Sequence, residues 1–162
     1  MGILYAVAVP LGNLKDITLR AIEILKSVDC IACEDTRNTR ILLDKYDISA
    51  KLLDCHKFNE KERSAKISEI LGENGTVALV SDAGTPAICD PGSVVERELI
   101  KMGHKIVPIP GASALTAFLS AVPREDEFFA FIGFMPRTKQ KREEIFEKFK
   151  NINCIFYESP IA

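Results

Sequence analysis

Short apolar runs at residues 3–9, 30–33, 51–53, 76–80 and 105–108 alternate with segments whose apolar residues recur at helical spacing. Alternation of this kind directs a chain into a parallel sheet flanked by helices on both faces, because each return to a parallel strand needs a crossover long enough to hold a helix. Thr18 stands where it can cap a first helix with Leu19, Ile22, Leu25 and Val28 near one face. Ile41, Leu42 and Tyr46 mark a second helix. Ala65, Ile67, Ile70 and Leu71 mark a third, ended by Gly72 and Gly75. Val94, Val95, Leu99 and Met102 mark a fourth, ended by Gly103, and a further helix is expected at 114–121.

The connection Val80-Ser81-Asp82-Ala83-Gly84-Thr85-Pro86-Ala87-Ile88-Cys89-Asp90-Pro91-Gly92 holds two Pro, two Gly and two Asp in thirteen residues. It can continue neither the strand before it nor the helix after it. Loops at the carboxyl ends of parallel strands are where open α/β sheets bind ligands. Two more of the same kind, Val9-Pro10-Leu11-Gly12-Asn13 and Ile109-Pro110-Gly111-Ala112-Ser113, point to one shared cleft. The first carries a single glycine, so it is neither a dinucleotide fingerprint nor a P-loop. Pro10 and Gly12 allow close backbone approach to a ligand, or simply a tight turn.

Formal net charge is -2, so no global field steers the chain toward nucleic acid or acidic membranes. Met1-Gly2-Ile3-Leu4-Tyr5 carries no basic leader, and no apolar run is long enough to span a bilayer. Five cysteines, an odd number, argue for a reducing compartment. Cys30 and Cys33, three positions apart on a strand, point to opposite faces, and no metal site is expected.

Val122-Pro123-Arg124-Glu125-Asp126 reads as a linker between a first domain, 1–122, and a second, 123–162. The second holds a strand at 128–132, the basic loop Pro136-Arg137-Thr138-Lys139-Gln140-Lys141-Arg142, a helix at 142–149 and a strand at 154–157. With only about forty residues it buries too little surface to fold alone and is expected to be an incomplete domain.

Several polar residues sit at strand ends. Arg37 can clamp a phosphate or carboxylate through its fork of donors, and it stands in a first helical turn that disfavours cations. Asp35 suits an N-cap there. His56 can position or deprotonate a hydroxyl, or be merely structural, and His104 reads as structural. Ser113 opens a helix with free N–H groups. The basic run 136–142 is either a solvated face or a grip for a phosphate backbone.

Taken in order, the motifs Pro10-Leu11-Gly12-Asn13-Leu14-x-Asp16-Ile17-Thr18, Glu34-Asp35-Thr36-Arg37-x-Thr39, His56-x-x-Asn59-Glu60, Ser81-Asp82-Ala83-Gly84-Thr85-Pro86 with Asp90-Pro91-Gly92, Pro110-Gly111-x-Ser113-Ala114, Gly133-Phe134-x-Pro136 and Phe156-Tyr157-Glu158-Ser159 form a set. This set resembles the ribosomal RNA small subunit methyltransferase I branch of the tetrapyrrole methylase family. The resemblance implies S-adenosyl-methionine as methyl donor and 2'-O-methylation of a cytidine ribose in 16S ribosomal RNA. It also implies a cytoplasmic homodimer of two α/β domains. Carried over by position, it assigns cofactor contacts to Pro10, Gly12, Ser81, Asp82, Ala83, Ile88, Ser113, Ala114 and Glu158. It gives the handling of RNA to Glu34, Asp35, Arg37, His56 and Asn59, with Glu34, Asp35 and His56 as alternative bases. Relatives run on well past the position of Ala162, so part of the second domain is expected to be missing. Two alternatives stand beside this reading: C-methylation of a tetrapyrrole on the same scaffold, and a non-catalytic remnant that binds adenosyl ligands.

Overall fold

The computed structural model describes residues 1–123 and 127–158. Arg124, Glu125 and Asp126 of the expected linker, and Ser159 of the last motif, lie outside the described residues. The chain divides into two compact units, the first running from Met1 to Ala114 and the second starting at Leu115.

The first unit is a five-stranded parallel sheet of β1 (Ile3–Val7), β2 (Cys30–Cys33), β3 (Leu52–Asp54), β4 (Thr76–Val80) and β5 (Lys105–Ile109), in the order β3-β2-β4-β1-β5. Between the strands run α1 (Leu19–Ser27), α2 (Thr36–Lys45), α3 (Glu60–Leu71) and α4 (Ser93–Lys101). From β1 the chain steps to one side of the sheet through β2 to β3, then returns across it through β4 to β5. With right-handed crossovers, that reversal sends α1 and α2 to one face and α3 and α4 to the other. The core divides accordingly. Val7, Ile31, Cys33, Ala78 and Val80 pack with Ala21 and Leu25 of α1 and Leu42 and Leu43 of α2. Leu4, Cys30, Ala32, Val77 and Leu79 pack with Ile67 and Leu71 of α3 and Val95 and Leu99 of α4. Successive strand residues thus alternate between two buried layers, as the pleat requires. Cys30 and Cys33 fall in different layers, and burial pushes both thiols up. Cys55, also buried, is pushed up to about 12.

Local signals account for most element ends. The Thr18 hydroxyl accepts the Ala21 N–H at 3.0 Å, and the Asp35 carboxylate accepts the Arg37 N–H at 2.8 Å, capping α1 and α2. Several expected boundaries move. Strand β1 stops at Val7 rather than Val9, because Val9 leaves the ladder to form an antiparallel bridge with Gly84. Helix α3 begins at Glu60, ahead of the apolar repeat, since the buried carboxylate of Glu60 has a structural partner described below. Leu19 is 80 % exposed, not part of the buried stripe. That stripe is centred on Ala21 and Leu25, and two residues turn a helix by about 200°, which carries Leu19 to the far side.

The second unit contains α5 (Ala114–Ala121) after its first residue, β6 (Phe129–Phe134), α6 (Lys139–Lys148) and β7 (Asn153–Tyr157). Strands β6 and β7 pair in parallel, with a register shift between Phe131 and Gly133. The Tyr157 ring meets Phe131 and Phe134 edge-on, at centroid distances of 5.0 and 5.6 Å. The basic run is not wholly a loop: α6 starts at Lys139, so Lys139, Lys141 and Arg142 lie in its first turn. The Arg142 guanidinium folds back onto the Arg137 carbonyl at 3.1 Å, and Lys139 faces Glu143 at 3.6 Å.

Candidate active site

Adjacent strands β1 and β4 send their following helices to opposite faces of the sheet, α1 to one and α4 to the other. Their carboxyl ends therefore define the switch point where an open α/β sheet leaves a crevice. A cleft of about 200 Å³ opens there. Val9, Pro10, Gly12 and Leu14 line it from the β1 side, Val80, Ser81 and Asp82 from the β4 side, and Asn38, Thr39, Ile41 and Leu42 of α2 close it.

Three loops are joined by hydrogen bonds. Val9 and Gly84 exchange backbone bonds of 2.9 and 3.0 Å, tying the loop after β1 to the loop after β4. Gly84 has φ +76°, and a Cβ there would lie 3.1 Å from Leu11 Cδ2, so this bridge suits glycine. The Thr85 hydroxyl donates to the Ala112 carbonyl at 3.1 Å, bringing in the loop after β5. Ser81 is buried, and its hydroxyl donates to the Ala83 carbonyl at 3.1 Å.

Asp82 links this frame to α2. One carboxylate oxygen accepts the Asp35 N–H at 3.2 Å, and the other accepts the Asn38 side-chain amide at 3.0 Å. These bonds place Glu34, Asp35 and Arg37 beside the cleft. The Arg37 guanidinium is engaged by Asp35 through Nε at 3.1 Å and Nη2 at 2.6 Å, yet its side chain is 88 % exposed. The Asp35 carboxylate thus answers the unfavourable charge of an arginine in a first helical turn. The hydrogen bonds from the Arg37 side chain and then its N–H hold the Asp35 carboxyl down to about 2.

Glu34 behaves oppositely. Burial pushes its carboxyl up, with Asp82 and Asp90 adding repulsion and Lys57 partly offsetting it. Asp90 is pushed up as well, first by burial and then by Asp82, while the Ser81 hydroxyl works against the shift. The loops after β2 and β4 thus bring three carboxylates together, two of them with weakened acidity. Such a group accepts a proton more readily than an ordinary carboxylate.

Of the residues singled out in the sequence, Pro10, Gly12, Ser81 and Asp82 line the cleft. Ala83 and Ile88 continue the β4 loop outside its walls, with Ile88 57 % exposed. Ser113 and Ala114 follow the β5 loop, and Glu158 follows β7 in the second unit. His56 stands past the end of β3, two strands from β4. Its N–H donates to Asn59 Oδ1 at 2.8 Å, and its Nε2 lies 3.3 Å from Asn59 Nδ2. His104 meets the Ser68 hydroxyl at 2.8 Å, away from the cleft.

Asn38, Thr39, Ile41 and Leu42 were not anticipated as cleft walls, although they adjoin the Glu34-Asp35-Thr36-Arg37 motif. Glu60 was noted only as part of a motif. Its buried carboxylate accepts the Gly92 N–H at 2.7 Å and the Val94 N–H at 3.3 Å, capping α4 from α3. Among the described residues, no group of three or more His, Cys, Asp or Glu side chains could hold a metal ion. Nor is any helix there long and apolar enough to cross a membrane.

A switch-point cleft with glycine-proline loops is an architecture shared by many sheet proteins, but here the sequence pattern narrows it. The chain belongs to the tetrapyrrole (corrin/porphyrin) methylase family, whose pattern matches residues 3–161. Within it, the chain is similar to proteins named ribosomal RNA small subunit methyltransferase I. It is 48 % identical to the one from Halalkalibacterium halodurans, over 98 % of this chain and 56 % of that protein. It is 45 % identical to that of Bacillus subtilis, over 99 % of this chain and 56 % of the relative. For Leptospira biflexa the figures are 43 %, 98 % and 67 %. The chain thus spans a little over half the length of most of these relatives. Solved structures agree on the fold: a diphthine synthase superposes with a TM-score of 0.74 at 19 % identity, covering 98 % of this chain and 65 % of its own. A uroporphyrin-III-C-methyltransferase from Thermus thermophilus gives 0.60 at 18 %, covering 85 % and 65 %.

Proposed function

We propose that this chain forms part of an S-adenosyl-methionine-dependent methyltransferase that modifies the 2'-hydroxyl of a cytidine ribose in 16S ribosomal RNA. The observation that carries the reading is the link from Asp82 to the N-terminus of α2, which sets the Glu34–Arg37 motif beside the switch-point cleft. Relatives named as small-subunit ribosomal RNA methyltransferases support it. Assembly as a cytoplasmic homodimer belongs to the same proposal.

The cleft suits part of such a donor. Its walls are mostly apolar, with Asn38, Thr39, Ser81 and Asp82 as polar points, and about 200 Å³ falls short of the ~300 Å³ at which whole-ligand pockets begin. Pro10, Gly12, Ser81 and Asp82 would hold the donor there, with Ala83, Ile88, Ser113 and Ala114 as further contacts. When bound, S-adenosyl-methionine supplies an electrophilic methyl group on a sulfonium centre. The protein's share is alignment of the acceptor, exclusion of water and withdrawal of the hydroxyl proton.

For that proton Glu34 is the base this reading assigns, since burial and neighbouring carboxylates raise its affinity for it. Asp35, held down at about 2 and committed to Arg37, is a weak one. Arg37, exposed at the helix start, would take a backbone phosphate, and His56 would orient the RNA strand farther along the edge.

The deciding experiment is incubation of the purified protein with radiolabelled S-adenosyl-methionine and unmodified small ribosomal subunits. Label recovered in 16S ribosomal RNA as 2'-O-methylcytidine is expected. Label found only in added precorrin-type tetrapyrroles would transfer the activity to the small-molecule branch. No transfer together with retained binding of the donor would favour the non-catalytic reading.

A further inference from the structure

The turn after β3 carries a phenylalanine that the reaction does not use. Phe58 is 85 % exposed and follows His56 and Lys57 directly. The Lys57 ammonium lies 4.9 Å from its ring centre, and the His56 ring approaches edge-on at 6.1 Å and 66°. Single exposed apolar residues are common and ordinarily carry no message. This one differs in how it is held and where.

The turn is rigid. Asn59 closes it by accepting the His56 N–H at 2.8 Å and donating its own N–H to the His56 carbonyl at 2.9 Å. The Asn59 amide also donates to Asp54 at 2.9 Å, and Arg63 locks Asp54 with bonds of 3.0 and 2.9 Å. The ring is therefore presented without the entropy cost of ordering a mobile tip. It stands past the carboxyl end of β3, whose partner strand β2 pairs Cys33 with Asp54 and leads directly into the Glu34–Arg37 motif. A flat apolar ring with a cation beside it matches a base and its attached phosphate, whereas a protein partner would favour a wider apolar patch.

We infer that Phe58, with Lys57 beside it, is a stacking platform for one unpaired base of the RNA, next to the nucleotide that enters the cleft. The inference rests on the proposed ribosomal RNA substrate. Unpaired bases splayed onto aromatic side chains are the usual means of reading single-stranded RNA.

The sequence has no tryptophan, so Phe58→Trp places one reporter in these 162 residues. The probes are a short single-stranded oligoribonucleotide and the same strand in a duplex. Quenching of the introduced indole fluorescence, measured over the background of the unsubstituted protein, is expected with the single strand and not with the duplex. Phe58→Ala is expected to bind the single strand about tenfold to a hundredfold more weakly, with unchanged thermal melting and unchanged affinity for S-adenosyl-methionine. Equal RNA affinity of Phe58→Ala and the parent overturns the platform while leaving the substrate reading intact. A parent protein that binds no RNA, free or in the small subunit, overturns both.

Discussion

The carboxylate of Glu60 reaches from the first turn of α3 to the backbone N–H of Gly92, 2.7 Å away, at the start of α4. It also takes the Val94 N–H at 3.3 Å, and it does so while buried. Replacing Glu60 by Ala leaves two buried or half-buried donors without a partner, a loss of about 1–3 kcal/mol. Glu60→Gln keeps one acceptor oxygen and should cost less. Urea unfolding of the two variants checks the order, and equal stability of Glu60→Ala and the parent would show that the bond contributes nothing net.

Gly92 serves the same junction through its backbone. Its φ is +136°, and a Cβ would meet Leu79 Cδ2 at 2.9 Å and Ala87 Cβ at 3.2 Å. Gly92→Ala combines a left-handed conformation with a clash, so a loss of about 1–3 kcal/mol is expected. Because the β4 loop moves with this residue, donor affinity should fall as well. Calorimetric titration with S-adenosyl-methionine measures it.

Glu34 sets stability against activity. Its carboxyl is raised in the folded chain, so the native state binds the proton more tightly than the unfolded state does. Above the raised value the full penalty of a buried charge is present. As pH falls through that value the penalty is relieved, and below the unfolded value it no longer varies with pH. Glu34→Gln should therefore raise the melting temperature at neutral pH, with the gain shrinking as the medium is acidified. Methyl transfer should drop by about a hundredfold to ten-thousandfold if Glu34 is the base. A variant with full activity would remove Glu34 from that role.

Arg37→Ala tests the phosphate contact. Loss of one cation at the RNA backbone should weaken binding and reduce the salt slope of log K by about one. Donor affinity should stay as it is, because Arg37 is bonded to Asp35 and does not line the cleft. Unchanged RNA affinity in this variant would exclude the contact.

Much of this protein was determined by local sequence. Thr18 and Asp35 cap the helices they precede, and the apolar runs of β2 and β4 become strands at the expected residues, because caps and pleat alternation act over a few neighbouring positions. Membership of a methylase family was legible for the same reason, as short motifs in a fixed order. The strand order β3-β2-β4-β1-β5 was decided only by the tertiary structure, since nothing local tells one buried parallel strand which neighbour to take. That order places β4 against β1 and creates the switch-point cleft. It also brings Asp82 to the N–H of Asp35, 47 residues away in sequence, and the Glu60 carboxylate to Gly92, 32 residues away. Neither polar side chain reveals its partner in sequence: a carboxylate in a loop or a first helical turn suits solvent equally well, until folding sets it against N–H groups from another element.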